Sequence, residues 1–505
     1  MKCENKDLLL GIDIGTTGAK CTFYDLQGHP VSTGYQEYRM IHPKEGWTEQ
    51  DPHKWWRCVC DNIRLCIDSD GIDTARVAAV AVSSTNAVML VGEDGSVVYN
   101  GIGLHDQRSE AQVRWLNEHV GADTVLKYTG NKIAKGSFAL PTLRWFMDER
   151  PDLIDKAAKF LIPNGWIIYK LTGEFSIDRP RSGLTLLNDL KTGQWSDEIV
   201  SKSQIPDHLL PKIYASSEIV GTVTAAASRA CGLLKGTPVC AGAIDTVAAT
   251  VGAGAVSYGD CAITIGSSGR VALINDVPFY DPKVLSTPGV RDDQFFAVQT
   301  TDNAGISLKW FRDTFGKMVL QDSINAGISI YEQMNRLCAA TTPGSGGLIY
   351  LPYLSGEKSP IWNTDARGVF FGIGLTTSYS DFIRAVMEGV AYSIRDCLEA
   401  VPNVQNASEA PVPIGGGAAR SEIWCQIFAD VLKRPVIQLQ DDETETLGDA
   451  IIAAQAAFIE DIPWDFGKTL ASKGRIIKPR RQYAQIYDDG FAKYKALYAA
   501  VKPIY

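Results

Sequence analysis

The sequence predicts an α/β protein made of two topologically similar halves, and three observations indicate this. The chain has 505 residues, about three times the length of a common domain, so two domains are expected. Short apolar strands alternate with amphipathic helices along the chain. The pattern of a strand, two hydroxyl residues between glycines and a second strand occurs at residues 10–18 and recurs at 261–274. We therefore predict an N-terminal domain over residues 1–255 and a C-terminal domain over residues 256–505.

Composition and charge exclude several classes of protein. Hydrophobic residues make up 45% and charged residues 21% of the chain, which are ordinary globular values, so a disordered or fibrous protein is not expected. The formal net charge is −9, which argues against a nucleic-acid binder, because such proteins cluster Lys and Arg against phosphates. The charge does not argue against binding of a small anionic ligand by backbone amides.

The cysteines and the apolar segments predict a cytoplasmic protein. Eleven cysteines are scattered along the chain without a CxxC pair, which favours reduced thiols over a disulfide framework. Cys58, Cys60 and Cys66 lie on one predicted helix, and we interpret them as buried apolar residues rather than metal ligands. No apolar stretch approaches the roughly 18 residues of a membrane span, so we expect no membrane partner.

The elements of the first half follow from hydrophobic periodicity. Predicted strands are residues 8–13, 21–24, 31–38 and 77–82, and predicted helices are 55–67, 109–119 and 141–148. Glycine-containing turns separate the first three strands, which is typical of hairpins. The strand over 77–82 leads directly into the polar run Ser83-Ser84-Thr85-Asn86.

The second half repeats this alternation. A strand over 410–414 leads into Gly415-Gly416-Gly417, and a helix is predicted over 422–432. Upstream, Ser378 and Asp381 have the spacing of a capping box before a long helix. That helix carries apolar residues at helical spacing, which we expect to be core: Phe382, Ala385, Val386, Val390, Ile394, Cys397 and Leu398.

The turn Gly15-Thr16-Thr17-Gly18 is the first candidate binding motif. The chain lacks a P-loop motif, a dinucleotide GxGxxG motif and the HRD and DFG motifs of protein kinases. A glycine-bounded turn instead frees backbone N–H groups and adds two hydroxyls, as an anion nest requires. Asp13 precedes the turn and suits Mg²⁺, which binds one or two carboxylates together with phosphate oxygens. The alternative is an ordinary hairpin with a solvated Asp13.

Two further glycine motifs lie in the second half. The turn Gly266-Ser267-Ser268-Gly269 offers a second anion nest of the same kind. The run Gly415-Gly416-Gly417 follows a strand and lacks Cβ atoms, so a flat ring such as adenine could lie against its backbone. Together they predict a nucleotide site that draws on both halves.

Asp245 is the candidate catalytic residue. A buried strand over residues 239–244 delivers this carboxylate to the start of a helix rich in small residues. A carboxylate there could accept the proton of a substrate hydroxyl during phosphoryl transfer. It could equally be a helix cap, because acidic side chains are common at helix N-termini.

These motifs resemble those of the FGGY-type carbohydrate kinases, within the superfamily that also contains actin and the heat-shock chaperone ATPases. The similarity covers nearly the whole chain, including residues 13–18 and the segment 46–52 followed by Trp55-Trp56. Its most specific part matches the family's C-terminal signature at Gly368, Phe370, Gly372, Ile373, Asp381, Phe382, Ala385, Val386, Met387 and Glu388. The resemblance implies two actin-like (RNase H-like) domains with the active site in a cleft between them.

The resemblance also implies roles for individual residues. Asp245 would be the catalytic base, and Asp13 the carboxylate linked to Mg²⁺. The implied ATP contacts are Thr16, Thr17, Gly18, Lys20, Gly266, Ser267, Gly305, Lys309, Gly416, Gly417 and Ser421. The implied substrate contacts are Ser84, Thr85, Asn86, Asp106 and Asp245.

The stretch at residues 84–88 departs from the known branches. Xylulokinases have Met-His-Gly there and glycerol kinases have Arg-Glu-Thr, whereas this chain has Ser84-Thr85-Asn86-Ala87-Val88. Thr246 stands where xylulokinases usually have Asn. Asp106 and Arg108 do match the Asp-x-Arg pattern of several members. The sugar is therefore left open by the sequence.

We predict an ATP-dependent kinase that phosphorylates a hydroxyl of a small sugar, with a ketopentose such as xylulose as the first candidate. Glycerol, gluconate and pentitols are the alternative substrates. An actin- or chaperone-like ATPase switch and a catalytically inactive sugar sensor are the alternative functions. The expected cofactors are ATP and Mg²⁺, the expected partner is a sugar or polyol, and a homodimer stays open.

Overall fold

A computed structural model describes residues 6–401, 410–439 and 443–505 of the chain. The chain divides into two compact units. The first comprises Met1–Ser257, Ile274–Ala297 and Glu443–Leu470, and the second comprises Tyr258–Leu273, Val298–Asp442 and Ala471–Tyr505. The first unit thus includes a segment from the C-terminal part of the chain, and no sequence motif indicated this.

Strands and helices alternate as the sequence predicts. The strands are β1 (Leu8–Ile14), β2 (Gly18–Asp25), β3 (Pro30–Glu37), β4 (Glu49–Gln50), β5 (Val77–Ser84), β6 (Ala87–Val91), β7 (Val97–Gly103), β8 (Lys159–Leu161), β9 (Ser176–Asp178), β10 (Asn188–Asp189), β11 (Gln194–Trp195), β12 (Lys212–Tyr214), β13 (Ile219–Thr222), β14 (Pro238–Cys240), β15 (Ala243–Ile244), β16 (Cys261–Ile265), β17 (Gly269–Asn275), β18 (Leu285–Pro288), β19 (Phe295–Thr301), β20 (Ile349–Leu351), β21 (Val369–Phe371), β22 (Val412–Gly415), β23 (Val436–Gln438) and β24 (Arg475–Ile477). The helices are α1 (Pro52–Asp70), α2 (Glu110–His119), α3 (Ala122–Thr129), α4 (Ala139–Glu149), α5 (Pro151–Ile154), α6 (Pro163–Thr172), α7 (Arg179–Gly183), α8 (Asp197–Ser203), α9 (Ala225–Cys231), α10 (Asp245–Gly252), α11 (Gly305–Phe315), α12 (Lys317–Ala326), α13 (Ile330–Ala340), α14 (Tyr379–Glu399), α15 (Glu422–Leu432), α16 (Thr444–Ala456), α17 (Phe466–Ala471) and α18 (Ala484–Val501).

The main sheet of the first unit has the order β13-β14-β5-β1-β2-β3, and β15 also pairs with β5. Strands β1, β2 and β3 form the predicted antiparallel hairpins. Strand β5 runs parallel to β1, and β15 runs parallel to β5, with Ser84 in register with both Ile14 and Ile244. Every residue of β5 is buried, as expected for a parallel strand covered on both faces. The carboxyl ends of β1, β5 and β15 therefore meet at one edge.

Helix α16 packs in the first unit although it lies near the end of the chain. A Cβ atom at Gly448 would stand 1.9 Å from the carbonyl oxygen of Ala248 on α10. Only a residue without a side chain permits this close approach of two helix backbones. The contact brings Asp449, the next residue of α16, beside strand β5, where Ser83 binds it.

The second unit repeats the hairpin and the parallel strand of the first. Strand β16 pairs antiparallel with β17 and parallel with β22, and β23 and β24 extend the sheet beyond β22. The two hairpin turns differ in length. Ile14 pairs with Ala19 across four residues, whereas Ile265 pairs with Gly269 across three. The recurring sequence pattern therefore has a structural counterpart, but the second turn is one residue shorter.

The predicted capping box and most of the predicted apolar stripe of the long helix are confirmed. Ser378 and Asp381 form the capping box of α14, and most of the predicted apolar stripe is buried on that helix. Phe382 is the exception, being only partly buried. Asp51 caps α1, and all cysteines of the described chain are buried and free of disulfides. Within residues 6–401, 410–439 and 443–505, no helix is long and apolar enough to span a membrane.

Candidate active site

The first phosphate-loop candidate forms a tight turn in the first unit. The N–H of Gly15 donates to the carbonyl of Gly18 at 2.9 Å, and Tyr38 binds the turn through its N–H and its hydroxyl. Among the described residues, no acceptor binds the backbone N–H of Thr16 or Thr17. Two adjacent free N–H groups are what an anion nest requires. The turn therefore has the donors to bind an anion, in addition to joining the two strands of the hairpin.

Asp13 lies at the end of β1 among other carboxylates. Its Oδ1 accepts from the hydroxyl of Ser83 at 3.1 Å, and that same hydroxyl lies 2.7 Å from Oδ2 of Asp449. Burial raises the pKa of Asp13 well above its usual range, and the negative charges of Glu445 and Asp245 add to this shift. The Ser83 hydroxyl therefore lies between the two carboxyl groups and can donate its one proton to either of them.

Lys20 stands across the hairpin from Asp13, in register with it. Its ammonium group binds both carboxylate oxygens of Glu443, at 2.8 and 2.7 Å. The Glu443 carboxylate raises the pKa of Lys20 against the effect of burial. Lys20 is therefore engaged within the protein, and its contact with ATP stays a prediction.

Asp245 is the first residue of α10, directly after β15. Its Oδ1 accepts from the N–H of Thr246 at 2.6 Å and from the hydroxyl of Thr246 at 3.0 Å. These two donors fix the orientation of the carboxyl group, and the helix dipole favours a negative charge at this position. Strand β15 pairs with β5, and Ile244 is in register with Ser84. Asp245 and the candidate substrate residues Thr85 and Asn86 therefore follow the ends of neighbouring strands.

The carboxylates around Asp13 are the donors available to a Mg²⁺ ion. Among the described residues, no group of three or more His, Cys, Asp or Glu side chains could hold a metal ion by itself. Magnesium does not need such a cage, since it usually keeps several waters and binds one or two carboxylates and phosphate oxygens. Asp449, which is fully buried, also has one carboxyl oxygen without a partner in the described chain. These residues fit a cation that is shared with a bound phosphate.

A narrow cavity lies beside the turn in the first unit; its empty space of about 200 Å³ includes open solvent, and in this conformation it has no room for a water molecule. Its lining consists of three threonines, two amides, one imidazole and three apolar or small residues: Thr16, Thr48, Thr85, Gln50, Asn86, His105, Met40, Gly103 and Leu104. Among these described lining residues there is no Lys, Arg, Asp or Glu. Two of the three predicted substrate residues at 84–86 therefore line one neutral, polar cavity.

The two amides of this cavity are oriented by protein carbonyls. The Nδ2 of Asn86 donates to the carbonyl of Gly136 at 3.1 Å, and the Nε2 of Gln50 donates to the carbonyl of Thr16 at 2.7 Å. Their amide oxygens are then the groups left to accept hydrogen bonds. The hydroxyls of Thr16 and Thr85 lie 3.3 Å apart and can both donate and accept.

Asp106 and Arg108 form a buried ion pair next to the cavity. The carboxyl oxygens of Asp106 accept from the Nε and Nη2 of Arg108 at 2.9 and 2.8 Å and from the N–H of Thr48 at 2.6 Å. The guanidinium also binds Glu49 and stacks 3.8 Å from the ring of Trp47. Both oxygens of Asp106 are thus engaged in holding the loop after β7, and its contact with substrate stays a prediction.

The second unit gathers its candidate residues at the end of β16. The carbonyls of Gly266 and Ser267 accept from the N–H groups of Gly305 and Ala304. A Cβ atom at Gly305 would lie 2.3 Å from the carbonyl oxygen of Gly266, and one at Gly416 would lie 2.6 Å from that of Ile265. These glycines are required by the packing of the turns, independently of any ligand. The turn residue Ser267 is exposed.

Three further nucleotide candidates lie close to these turns in the chain. Ser421 caps α15 by accepting from the N–H of Trp424, and its hydroxyl donates to Asn335 at 2.8 Å. Lys309 is exposed on α11, one turn after Gly305, and Gly417 follows Gly416 directly. Their contacts with ATP stay predictions.

Sequence reasoning missed several residues of the first unit. Ser83, Asp449 and Glu445 surround Asp13, while Gln50 and His105 line the cavity. The i, i+4 spacing of Glu445 and Asp449 places them on one face of α16, which was a detectable signal. Nothing local indicated which strand that face would contact.

Comparison with known proteins shows the family of the chain. The N-terminal domain model of the FGGY family of carbohydrate kinases matches residues 8–252, and the C-terminal domain model matches residues 261–457. The chain belongs to the FGGY family of carbohydrate kinases. It is therefore a phosphotransferase, and the predicted kinase class is confirmed.

Individual relatives differ in substrate. The chain is 28% identical to the xylulose kinase of Bacillus subtilis over 499 residues, covering 98% of this chain and 97% of the relative. It is 30% identical to the gluconokinase of the same species over 451 residues, covering 89% of this chain and 87% of the relative. The crystal structure of a xylulose kinase from Rhodospirillum rubrum matches with a TM-score of 0.88 and 27% identity, covering 98% and 99%. The predicted α/β fold of two actin-like (RNase H-like) domains is thereby confirmed, and the identity of the sugar is not decided.

Proposed function

We propose that this carbohydrate kinase transfers the γ-phosphoryl group of MgATP to a hydroxyl of an uncharged five-carbon ketose or pentitol, with D-xylulose as the first candidate. The observation that carries this proposal is the set of neutral, polar side chains that line the narrow cavity beside the turn at residues 15–18. A few convergent polar side chains are typical of a small-molecule site, and this cavity must widen to admit a sugar.

The lining chemistry supports a neutral substrate over a sugar acid. The amide oxygens of Asn86 and Gln50 are suited to accept from sugar hydroxyls, and they would repel the carboxylate of gluconate. A carboxylate is usually bound by Arg or Lys, and the described lining contains neither.

In the proposed reaction Asp245 acts as the general base. The substrate hydroxyl oxygen attacks the γ-phosphorus, the bond from that phosphorus to the bridging oxygen breaks, and the hydroxyl proton passes to the Asp245 carboxylate. ADP carries away the electron pair of the broken bond. The two hydrogen bonds from Thr246 to Oδ1 hold the carboxyl group in one orientation, which supports the pre-organisation that such a base needs.

Each glycine-bounded turn is proposed as a phosphate-binding element of its own unit. The free N–H groups of Thr16 and Thr17 support this role in the first unit, and the exposed turn at Ser267 supports it in the second. Asp13 would hold Mg²⁺ together with phosphate oxygens, and Ser83 would orient the Asp13 carboxylate. When bound, Mg²⁺ would neutralise the charge that develops on the phosphate oxygens.

A substrate panel tests the proposed function. We expect kcat/KM for D-xylulose, L-ribulose or a pentitol to exceed that for gluconate and glycerol, in an assay that couples ADP release to a spectrophotometric signal. A mismatched substrate that leaves one buried polar group unpaired should lose roughly 5- to 150-fold. A clear preference for gluconate or glycerol would refute the five-carbon assignment.

A pair of isosteric variants tests the cavity itself. Thr85→Val removes one lining hydroxyl and preserves side-chain shape, so we expect KM for the preferred sugar to rise about 3- to 10-fold with KM for ATP unchanged. Thr33→Val makes the same change on β3, where the hydroxyl binds Thr22 outside the cavity, and should leave both constants unchanged. Equal sugar KM values for the two variants would argue against this cavity as the sugar site.

A further inference from the structure

The loop that joins β5 to β6 carries Thr85 and Asn86 into the cavity. Its backbone is held from inside the protein by Arg181, whose Nη2 donates to the carbonyl of Ser84 at 2.5 Å and to that of Thr85 at 3.2 Å. Consecutive carbonyls of a β-strand point to opposite edges. One nitrogen binding two consecutive carbonyls therefore marks the point where the chain leaves the strand geometry.

A closed ring of hydrogen bonds surrounds this contact. Asp178 accepts from the backbone N–H of Arg181 at 2.7 Å and from the Nδ2 of Asn164 at 2.7 Å, and Asn164 accepts from the hydroxyl of Ser84 at 3.2 Å. These four residues lie on α7, β9, α6 and β5, and each is at most 2% exposed. The ring thus joins four separate elements at the loop.

Stability alone does not account for such an arrangement. Burying a guanidinium and a carboxylate is costly, and apolar residues of similar volume are often at least as stabilising. Asp178 shows this cost, since burial raises its pKa to about 6 although the charge of Arg181 lowers it. What arginine adds is a rigid planar head, which places Nη2 between the two carbonyls and which the flexible lysine ammonium lacks.

We propose that Arg181 is a positioning residue for sugar binding: it fixes the carbonyls of Ser84 and Thr85 and so directs the side chains of Thr85 and Asn86 into the cavity. This inference rests on the proposed assignment of that cavity to the sugar. Arg181 itself is not among the lining residues, so its effect on the sugar is indirect. Asp178 and Asn164 hold the ring that keeps Arg181 and Ser84 in place.

The test compares KM and kcat for the best sugar of the panel. Arg181→Lys keeps the charge and loses the fork, so we expect sugar KM to rise about 10- to 100-fold, kcat to fall less than this, and KM for ATP to stay within about twofold. Asn164→Ala removes the link to Ser84 without adding charge and should act in the same direction more weakly. The control is Arg179→Lys. Arg179 lies two residues away on the same helix and binds Asp292 instead, so this substitution should change neither the sugar KM nor the ATP KM.

Chemical rescue separates positioning from a merely structural role. Added guanidinium ion, at tens of millimolar, should lower the raised sugar KM of Arg181→Ala and have no effect on that of Arg179→Ala. Unchanged sugar KM in the folded Arg181 variants would overturn the inference and leave the proposed function standing. Equal changes in KM for sugar and ATP, without rescue, would also overturn it. If the wild type turned over no sugar of the panel, the proposed function would fail and this inference with it.

Discussion

Replacing Asp245 by asparagine should remove sugar-dependent ADP formation while the protein still binds ATP. The two donors of Thr246 require an acceptor, so the asparagine oxygen should face them, as Oδ1 does at 2.6 and 3.0 Å. The reverse orientation would set an NH2 group against an N–H and cost about 1–3 kcal/mol. The amide nitrogen then occupies the position of the second carboxyl oxygen and cannot accept a proton.

The size of the loss follows from this geometry. The variant keeps the shape and hydrogen bonds of the site and loses only the base, which typically contributes about 10²–10⁴-fold. This range corresponds to roughly 2.7–5.4 kcal/mol in the activation free energy. We therefore expect kcat to fall by at least about 100-fold, with the dissociation constant for MgATP, measured by calorimetry, nearly unchanged.

The assay is the initial rate of ADP release at saturating MgATP and the preferred sugar. Asp197→Asn is the matched control, because Asp197 is also the first residue of a helix, α8, and is exposed away from the candidate site. The control should retain wild-type kcat. A kcat for Asp245→Asn within about tenfold of the wild type would refute the assignment of Asp245 as the base, since even a weak general base contributes more.

Two further predictions concern the second unit. Gly305→Ala would place a Cβ atom 2.3 Å from the backbone oxygen of Gly266, so we expect an unfolding free energy lower by about 1–3 kcal/mol and weaker ADP binding. The control is Gly374→Ala, whose Cβ would have nothing within 4 Å and whose unfolding free energy in urea should stay within about 0.5 kcal/mol of the wild type. Equal effects of the two substitutions would refute the packing argument. Burial raises the pKa of Glu357 from its ordinary 4.5 to about 8, against hydrogen bonds from Thr301 and the N–H of Asp302. Between pH 4.5 and 8 the Glu357 carboxyl is therefore protonated in the folded state and ionised in the unfolded state. The free energy of unfolding should then fall by up to about 1.4 kcal/mol per pH unit as the pH rises through this range. Urea unfolding of the wild type and Glu357→Gln at pH 5.5 and 7.5 checks this, and an identical pH dependence in the two proteins would contradict it.

Local features were predictable from the sequence because they depend on residues close together in the chain. The capping box of Ser378 and Asp381 is set within one helical turn, and the turn at residues 15–18 is set by its own glycines. The position of Asp245 at the start of α10 follows from the change of periodicity at that point. The sequence alone therefore determined the alternation of elements and the position along the chain of each motif.

The surroundings of those motifs were decided by tertiary packing. Ser83 and Asp449 are 366 residues apart and meet at 2.7 Å because Gly448 lets α16 approach α10. The contact of Thr48 with Asp106 and that of Arg181 with Ser84 likewise join distant segments whose spacing carries no periodic signal. Backbone propensity acts over a few residues, whereas a hydrogen bond between distant segments depends on how complete elements pack, and only the three-dimensional structure contains that information.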